Sequence, residues 1–203
     1  IRQVGRAGVT ETELAFANLD SSNRYIVHNV GVRIPERIKR YPFDAVIVTA
    51  TALSRLVSRR GFNHFTRNLS FLSSSTAVKV AFPQDDYWCS ETRDSWYVKN
   101  RFDLVHPVCS EETWGRLIPR FISSGGSVRR GYSAYVTPRL RDVAESLSPH
   151  VDRRYDVVYR ASGRPAFPNR LGSLKSSIGN RFVQAVGTAR LKMDISTDAS
   201  ATI

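Results

Sequence analysis

The chain has 203 residues, of which 41% are hydrophobic and 24% charged, and its formal net charge is +12 at pH 7. This composition is ordinary for a globular protein with room for one large domain, or for one domain and part of another. No run approaches the ~20 apolar residues that a membrane span needs, and no signal peptide, with its basic and then apolar start, is visible.

Five short apolar runs predict strands. They are rich in Val and Ile and nearly continuous, which is typical of strands buried on both faces and therefore of a parallel sheet. The runs are 24–30 (RYIVHNV), 43–49 (FDAVIVT), 77–82 (AVKVAF), 102–108 (FDLVHPV) and 155–159 (YDVVY).

Helical patterns fall between these runs. Residues 10–19 form the first, and a second follows Ser110, a plausible N-cap with two glutamates in the first turn. Pro119 is expected to kink or shorten that second helix. Pro138, after Thr137, predicts the start of a third helix that Pro149 would stop. A further helix over 173–186 and a strand over 190–195 complete the pattern.

The alternation of strands and helices predicts an α/β fold with a Rossmann-like parallel sheet flanked by helices. In such sheets, ligands bind beyond the carboxyl ends of the strands. The polar stretch 146–154 is the candidate boundary between an N-terminal domain, 1–150, and the start of a second, incomplete domain, 151–203. We expect both chain ends to be cuts, because the sequence opens on Ile1 rather than Met and ends without a closing element.

The most distinctive segment is 80–88 (VAFPQDDYW), where an apolar strand runs directly into Gln84, Asp85 and Asp86. A carboxylate at the carboxyl end of a strand can act as a general base on a hydroxyl, or can hold a sugar hydroxyl by hydrogen bonds. Asp85 and Asp86 are therefore candidate catalytic residues. The alternative is an acidic cap on a helix N-terminus.

Cys89 and Cys109 are too few for a disulfide framework, so we expect a reduced, cytoplasmic protein. No clustered Cys or His spacing suggests a metal site. His106 and Cys109 near the end of one predicted strand could form a nucleophilic pair. The alternative is that Cys109 packs as a small apolar residue and His106 is a satisfied histidine, since odd spacing puts them on opposite strand faces.

Two glycine pairs flank or interrupt the strand-like segment 127–136. Gly125-Gly126 precede it, and Gly131-Tyr132 lie within it. The glycines would permit tight turns or close backbone approach. A phosphate-binding role is weakly supported, because the sequence contains neither a P-loop nor a G-x-G-x-x-G pattern.

A second notable segment, 159–175, combines a strand ending at Arg160 with a basic loop that feeds a helix. Guanidinium groups beside a helix N-terminus suit a diphosphate. The alternative is a solvated basic loop. The candidate diphosphate-binding residues are Arg160, Arg164, Arg170, Gly172 and Lys175.

These segments, in this order, resemble a group of bacterial glycosyltransferase-like proteins with the two-domain GT-B fold. The similarity consists of an apolar strand entering Pro-Gln-Asp (83–85) and a Gly-Tyr before a proline-started helix (131–138). A strand ending Tyr-Arg (159–160), a Leu-Gly-x-x-Lys helix start (171–175) and an Asp-Ile-Ser strand end (194–196) follow. The resemblance spans about residues 24–198, and its specificity lies in the order of the short motifs rather than in any one of them.

The resemblance implies an acceptor-binding N-terminal domain and a C-terminal domain that binds a nucleotide-sugar, which is a substrate rather than a cofactor. Gln84, Gly131 and Tyr132 would lie on the acceptor side. Arg160 and Lys175 would neutralise the donor diphosphate, and Asp85 or Asp86 would be the base or an acceptor contact. The fragment alone would be inactive, since most of its donor domain would be missing.

Two other classes of function remain open. The net charge, most of it from arginine, suits an anionic partner, and a nucleic-acid-binding α/β module would show strongly salt-dependent affinity. Against this, the basic residues are scattered and the aromatic residues are not interleaved with them. An arginine-biased composition would also give this charge without any partner. The second of these classes is a non-catalytic, glycosyltransferase-like scaffold.

Overall fold

A computed structural model describes residues 13–16, 22–54, 59–132, 136–147, 153–160, 177–178, 180–185 and 191–196. The chain divides into two compact units, Ile1–Thr137 and Pro138–Ile203. The helix that starts at Pro138 thus groups with the second unit, whereas the sequence placed the domain boundary after it, at residue 150.

The described part of the first unit contains one parallel sheet. Its strands are β1 (Ala45–Val48), β2 (Val78–Ala81), β3 (Leu104–Val105) and β4 (Ser127–Val128). They lie in the order β1-β2-β3-β4, with Val48 beside Ala81 and Ala81 beside Val105. The predicted parallel α/β sheet is therefore confirmed, and three of the five apolar runs form its first three strands.

In the described part of the first unit, one helix with assigned bounds precedes the first strand and the others connect the strands, while residues 13–16 are also helical. The helices with assigned bounds are α1 (Glu36–Lys39), α2 (Ala50–Leu53), α3 (Arg59–Asn68), α4 (Ser90–Lys99), α5 (Glu111–Leu117) and α6 (Pro119–Ser123), with a 3₁₀ turn at Ser70–Ser73. Ser110 precedes α5 as predicted, and the predicted effect of Pro119 is confirmed, because α5 ends just before it and α6 starts on it. The sequence did not predict α1, α2 or α3, and it offered a helix after Asp86, in the region that leads into α4, only as an alternative.

The described strands are deeply buried on one face and only partly covered on the other, which corrects the prediction that both faces are buried. Val48, Ala81 and Val105 are at most 4% exposed, whereas Ile47 and Val78, which point the other way, are 37% and 51% exposed. The strand order explains this difference. Crossovers between parallel strands are right-handed, so a sheet that grows in one direction without reversal receives its connecting helices on one side.

The core lies on that covered side. An aromatic cluster from three helices and one loop fills it, with Trp96 contacting Phe65 and Phe102 at ring-centroid distances of 5.0 and 4.8 Å. Tyr97 and Phe121 extend the cluster at 5.9 Å. Burying these rings supplies much of the apolar area that stabilises the unit.

Residues 24–30, predicted as a strand, form no strand. Tyr25, Ile26 and Val27 are 40%, 51% and 62% exposed, and the segment has no regular secondary structure. Its conformation is fixed instead by Asn68 of α3, whose side-chain amide donates to the carbonyl oxygens of Val30 and Val32 at 2.8 and 3.1 Å. Among the described residues, no neighbouring strand pairs with this apolar run, so β-propensity alone does not make it a strand.

Buried polar side chains join the elements. The carboxylate of Asp94, on α4, accepts hydrogen bonds from the backbone N–H groups of Arg120 and Phe121 at 3.1 and 2.9 Å, at the start of α6. Lys79 on β2 is 4% exposed, and its ammonium donates to the carbonyl oxygens of Ser75 and Ala77, each at 3.0 Å. These contacts meet the requirement that buried polar groups find partners.

In the described part of the second unit, α7 (Pro138–Glu145) begins at the predicted proline, and two parallel strands follow, β5 (Val157–Arg160) and β6 (Met193–Ser196). Residues 177–178 and 180–185 are helical, in agreement with the predicted helix between these strands. Residues 13–16 of the helix predicted at 10–19 are helical, and the rest of that helix, like the rest of the one predicted at 173–186, lies outside the described residues.

Candidate functional site

The carboxyl ends of β2, β3 and β4 lead into three loops at one edge of the first sheet. The loop after β2 carries Gln84, Asp85 and Asp86, the loop after β3 runs from His106 to Cys109, and the loop after β4 carries Gly131. Because the strands are parallel neighbours, these loops emerge at the same edge, where ligands of α/β proteins bind.

Asp86 connects the first loop to the second. It is 6% exposed, and its Oδ2 accepts hydrogen bonds from the backbone N–H of Val108 and, at 2.9 Å, from that of Cys109. Burial raises the pKa of this carboxyl group, although the two backbone N–H donors and the positive charge of Arg93 act in the opposite direction. Asp86 is thus a positioning residue for the β3 loop, which differs from the catalytic role predicted for it.

Asp85 is exposed and stands in a left-handed backbone conformation, with φ 52°. The neighbouring chain holds it there. Its carbonyl oxygen accepts hydrogen bonds from the backbone N–H of Trp88 at 2.9 Å and from Nη1 of Arg93 at 3.0 Å. Because a non-glycine residue at positive φ is uncommon, these contacts hold an otherwise unfavourable turn.

Arg93 supports the whole β2 loop from beneath. It is 3% exposed on α4, and besides the Asp85 carbonyl it binds the carbonyl oxygen of Gln84 at 3.2 Å. Gln84 and Asp85 therefore keep their side chains at the exposed surface while their backbone is fixed from the interior. Local sequence patterns could not reveal Arg93 as a site residue, since its partners precede it by eight and nine residues on a different element.

Gly131 connects the β4 loop to the same central loop. Its N–H donates to the carbonyl oxygen of Pro107 at 2.8 Å, and a Cβ placed on it would lie 2.5 Å from the carbonyl oxygen of His106. Only glycine fits so close an approach. Tyr132 follows with 88% of its surface exposed. The loops that carry the predicted acceptor-side residues Gln84 and Gly131 are thus both bonded to the His106–Cys109 loop, the first through Asp86 and the second through Gly131 itself.

His106 stacks on Phe82, with ring centroids 4.6 Å apart and planes 4° from parallel, and Phe16 contacts Phe82 at 5.1 Å. Burial and the nearby Asp86 charge raise the pKa of the Cys109 thiol, which disfavours the thiolate that a nucleophile needs. The geometry therefore favours packing roles for His106 and Cys109 over a nucleophilic pair. Sequence patterns did not reveal the aromatic stack.

Of the residues predicted to bind the donor diphosphate, only Arg160 lies among the residues that the structure describes. Arg160 is the last residue of β5, as the predicted strand end requires. The other candidates, Arg164, Arg170, Gly172 and Lys175, lie outside the described residues. The diphosphate site stays a prediction.

Among the residues that the structure describes, no group of three His, Cys, Asp or Glu side chains could hold a metal ion. Within the same part of the chain, no helix is long and apolar enough to cross a membrane.

No family model matches the chain, and no curated protein or solved structure is significantly similar to it. What is shown is a parallel α/β sheet compatible with a Rossmann-like fold. The likeness to GT-B glycosyltransferases stays a prediction from ordered motifs.

Proposed function

We propose that the protein is a GT-B-type glycosyltransferase, or part of one, that transfers a sugar from a nucleotide-sugar to an acceptor hydroxyl. One observation supports this most directly. Asp85 presents an exposed carboxylate at the carboxyl edge of a parallel sheet, and its backbone is held by the buried Arg93. Open access combined with fixed position is what a general base acting on a bound hydroxyl requires.

Asp85 is the base in this proposal, and Asp86 positions the loop beside it. Asp85 takes the proton from the acceptor hydroxyl as that oxygen forms a bond to the donor sugar carbon. The bond between the sugar and the nucleotide diphosphate breaks in the same process. Gln84 and Tyr132, both exposed at the same edge, supply hydrogen bonds to the acceptor.

The departing diphosphate carries the developing negative charge, and the cations of Arg160 and Lys175 stabilise it. This role rests on the sequence resemblance and on the place of Arg160 at a strand end. No metal ion or cofactor is needed for this division of tasks. Because the donor and acceptor roles are assigned to different residues, the two halves of the proposal can be tested separately.

The donor half is tested by calorimetric titration of UDP and GDP into the intact protein. We expect binding that Arg160→Ala and Lys175→Ala abolish. Absence of binding by every common nucleoside diphosphate would refute the proposal and would favour a nucleic-acid-binding or non-catalytic protein.

The acceptor half is tested by the release of nucleoside diphosphate from the nucleotide-sugar that binds. Asp85→Asn should lower this rate by about 10²–10⁴-fold and leave the affinity for the nucleotide unchanged. Asp44→Asn is the matched control, because Asp44 is an exposed aspartate at the opposite end of β1, away from the carboxyl edge. Equal rates for both variants would contradict a catalytic role for Asp85.

A further inference from the structure

Phe82 and His106 are the first residues after β2 and β3, and they stand side by side at the carboxyl edge of the sheet. Their backbone N–H groups continue the strand ladders, donating to the carbonyl oxygens of Val48 and Ala81 at 2.9 and 2.8 Å. Ala81 pairs with Val105 on the deeply buried face of the sheet. Because side chains alternate along a strand, Phe82 and His106 lie together on the opposite, partly covered face.

Stacking fixes the plane of the His106 ring. Its centroid lies 4.6 Å from that of Phe82, and the two planes are 4° from parallel. Phe16 contacts the Phe82 ring at 5.1 Å and so supports the stack. The backbone is held as well, since the His106 carbonyl oxygen lies 2.5 Å from a Cβ placed on Gly131. The orientation of the imidazole is therefore set before any ligand binds.

The two ring nitrogens of His106 take no part in this packing. Neither forms a hydrogen bond with a residue that the structure describes, and neither is a fully buried atom, so both reach solvent. The other two described histidines differ. Nε2 of His64 lies 3.1 Å from the side-chain amide of Asn68, and Nε2 of His28 lies 3.2 Å from the carbonyl oxygen of Val32. His106 is thus oriented by the protein and left open to a ligand.

The chemistry of an imidazole restricts that ligand. In its neutral form the ring has one N–H donor and one acceptor nitrogen. A hydroxyl group can pair with either nitrogen, because it both donates and accepts. An anion is a poorer partner at this edge, because the loop that follows Phe82 carries the carboxyl groups of Asp85 and Asp86.

We propose that His106 is a binding residue for a hydroxyl group of a sugar at the carboxyl edge of the sheet. The inference rests on the proposed function, because it names the acceptor as a sugar and assigns it a binding residue. Stacking on Phe82 uses the face of the imidazole ring, whereas the sugar hydroxyl pairs with its edge. Because the ring is already fixed, binding costs little side-chain entropy.

Carbethoxylation of the intact protein with diethyl pyrocarbonate tests whether the nitrogens of His106 are open. We expect both His106 and the exposed His64 to be modified, as measured by mass spectrometry of peptides. The methyl glycosides of glucose, galactose and mannose are the probes. At about ten times its Kd, at least one should slow modification of His106 about tenfold, because only about a tenth of the site is then free. His64 should be unaffected.

Two results of this measurement would overturn the proposal. One is a His106 that the reagent does not modify, and the other is a His106 that none of the three glycosides protects. The measurement uses the wild type and therefore does not depend on whether a variant folds.

His106→Phe tests the hydrogen bond itself, because it retains an aromatic ring for the stack on Phe82 and removes both nitrogens. The affinity for the protecting glycoside should fall by about 2–10-fold, the effect of one uncharged hydrogen bond. His106→Gln restores a donor and an acceptor and should bind more tightly than His106→Phe. NMR titration of the glycoside measures both, with His64→Phe as the matched control. Affinity of His106→Phe equal to that of the wild type would contradict the proposal.

This inference and the proposed function fail separately. Protection by a glycoside needs no nucleotide, so protection without binding of any nucleoside diphosphate would support the sugar site and refute the glycosyltransferase. Nucleotide binding without protection of His106 would refute the sugar site alone.

Discussion

Oδ1 of Asp94 accepts a hydrogen bond from the backbone N–H of Phe121 at 2.9 Å, so a carboxylate in the middle of one helix caps the start of another. The first N–H groups of a helix have no partner within the helix, and a nearby side chain usually supplies one. Here the cap comes from a residue 27 positions earlier in the chain.

Asp94→Ala should lower the free energy of unfolding by about 2–3 kcal/mol, because it leaves two N–H groups at the start of α6 without their acceptor. Asp94→Asn retains one oxygen acceptor and should lose less. Urea denaturation followed by circular dichroism measures both. If the two variants lost the same amount, capping would not be the main contribution of this carboxylate.

Gly131→Ala should destabilise the protein by about 1–3 kcal/mol, since the added Cβ would lie 2.5 Å from a backbone oxygen that cannot move without displacing the β3 loop. Gly115→Ala is the matched control. Gly115 is inside α5 with no atom within 4 Å of an added Cβ, so this change should stabilise by about 0.5–1 kcal/mol. Thermal denaturation of the two variants should shift in opposite directions, and a shift in the same direction would argue against the close approach.

The pH dependence of stability should report the burial of Asp86. The pKa of its carboxyl group is raised in the folded state, so its contribution to stability is full below the ordinary aspartate pKa and is lost as the pH rises through the raised value. The stability of the wild type relative to Asp86→Asn should therefore improve as the pH is lowered from 7 towards 4. Urea titrations at several pH values measure this difference.

Glu112 provides a control of opposite sign. The hydrogen bond from Ser110 lowers the pKa of Glu112, so its contribution is present above the ordinary glutamate pKa and is lost as the pH falls. The wild type should lose stability relative to Glu112→Gln only as the pH falls below 4.5, the ordinary value for glutamate. If Asp86→Asn behaved like Glu112→Gln, the backbone N–H donors would outweigh burial at Asp86.

The one-sided burial of the sheet predicts different costs for one substitution at two valines. Val48→Thr, on the covered face, places a hydroxyl in the core and should cost about 1–3 kcal/mol. Val78→Thr, at a position 51% exposed, should change stability by less than about 0.5 kcal/mol. Equal losses in denaturant titrations would mean that the second face is also covered in solution.

The sequence predicted the sheet well, because the signal for a buried parallel strand is local. Runs such as 43–49 and 77–82 contain enough adjacent Val and Ile to identify strands without knowledge of their neighbours. The same signal failed at 24–30, where strand formation depends on a partner that no local pattern reveals. The exposed face could not be predicted either, since it follows from the order of strands.

Helix α4 shows why the sequence did not reveal the residues that hold the loops of the candidate site. Its buried residues include Arg93 and Asp94, which interrupt the apolar pattern of an amphipathic helix. Both are stabilised by backbone groups elsewhere, at Gln84, Asp85, Arg120 and Phe121. Asp85 and Gly131 could be predicted from their motifs, whereas the groups that hold their loops could not.

Acylation of the Lys79 amine can report on the opening of the sheet. Its amine is enclosed beneath β2 and bound to two carbonyl oxygens, whereas Lys99 at the end of α4 is exposed. An acylating reagent would reach Lys99 in the folded protein but Lys79 only when β2 separates from its surroundings. The time at which Lys79 becomes acylated would therefore measure how often the centre of the sheet opens.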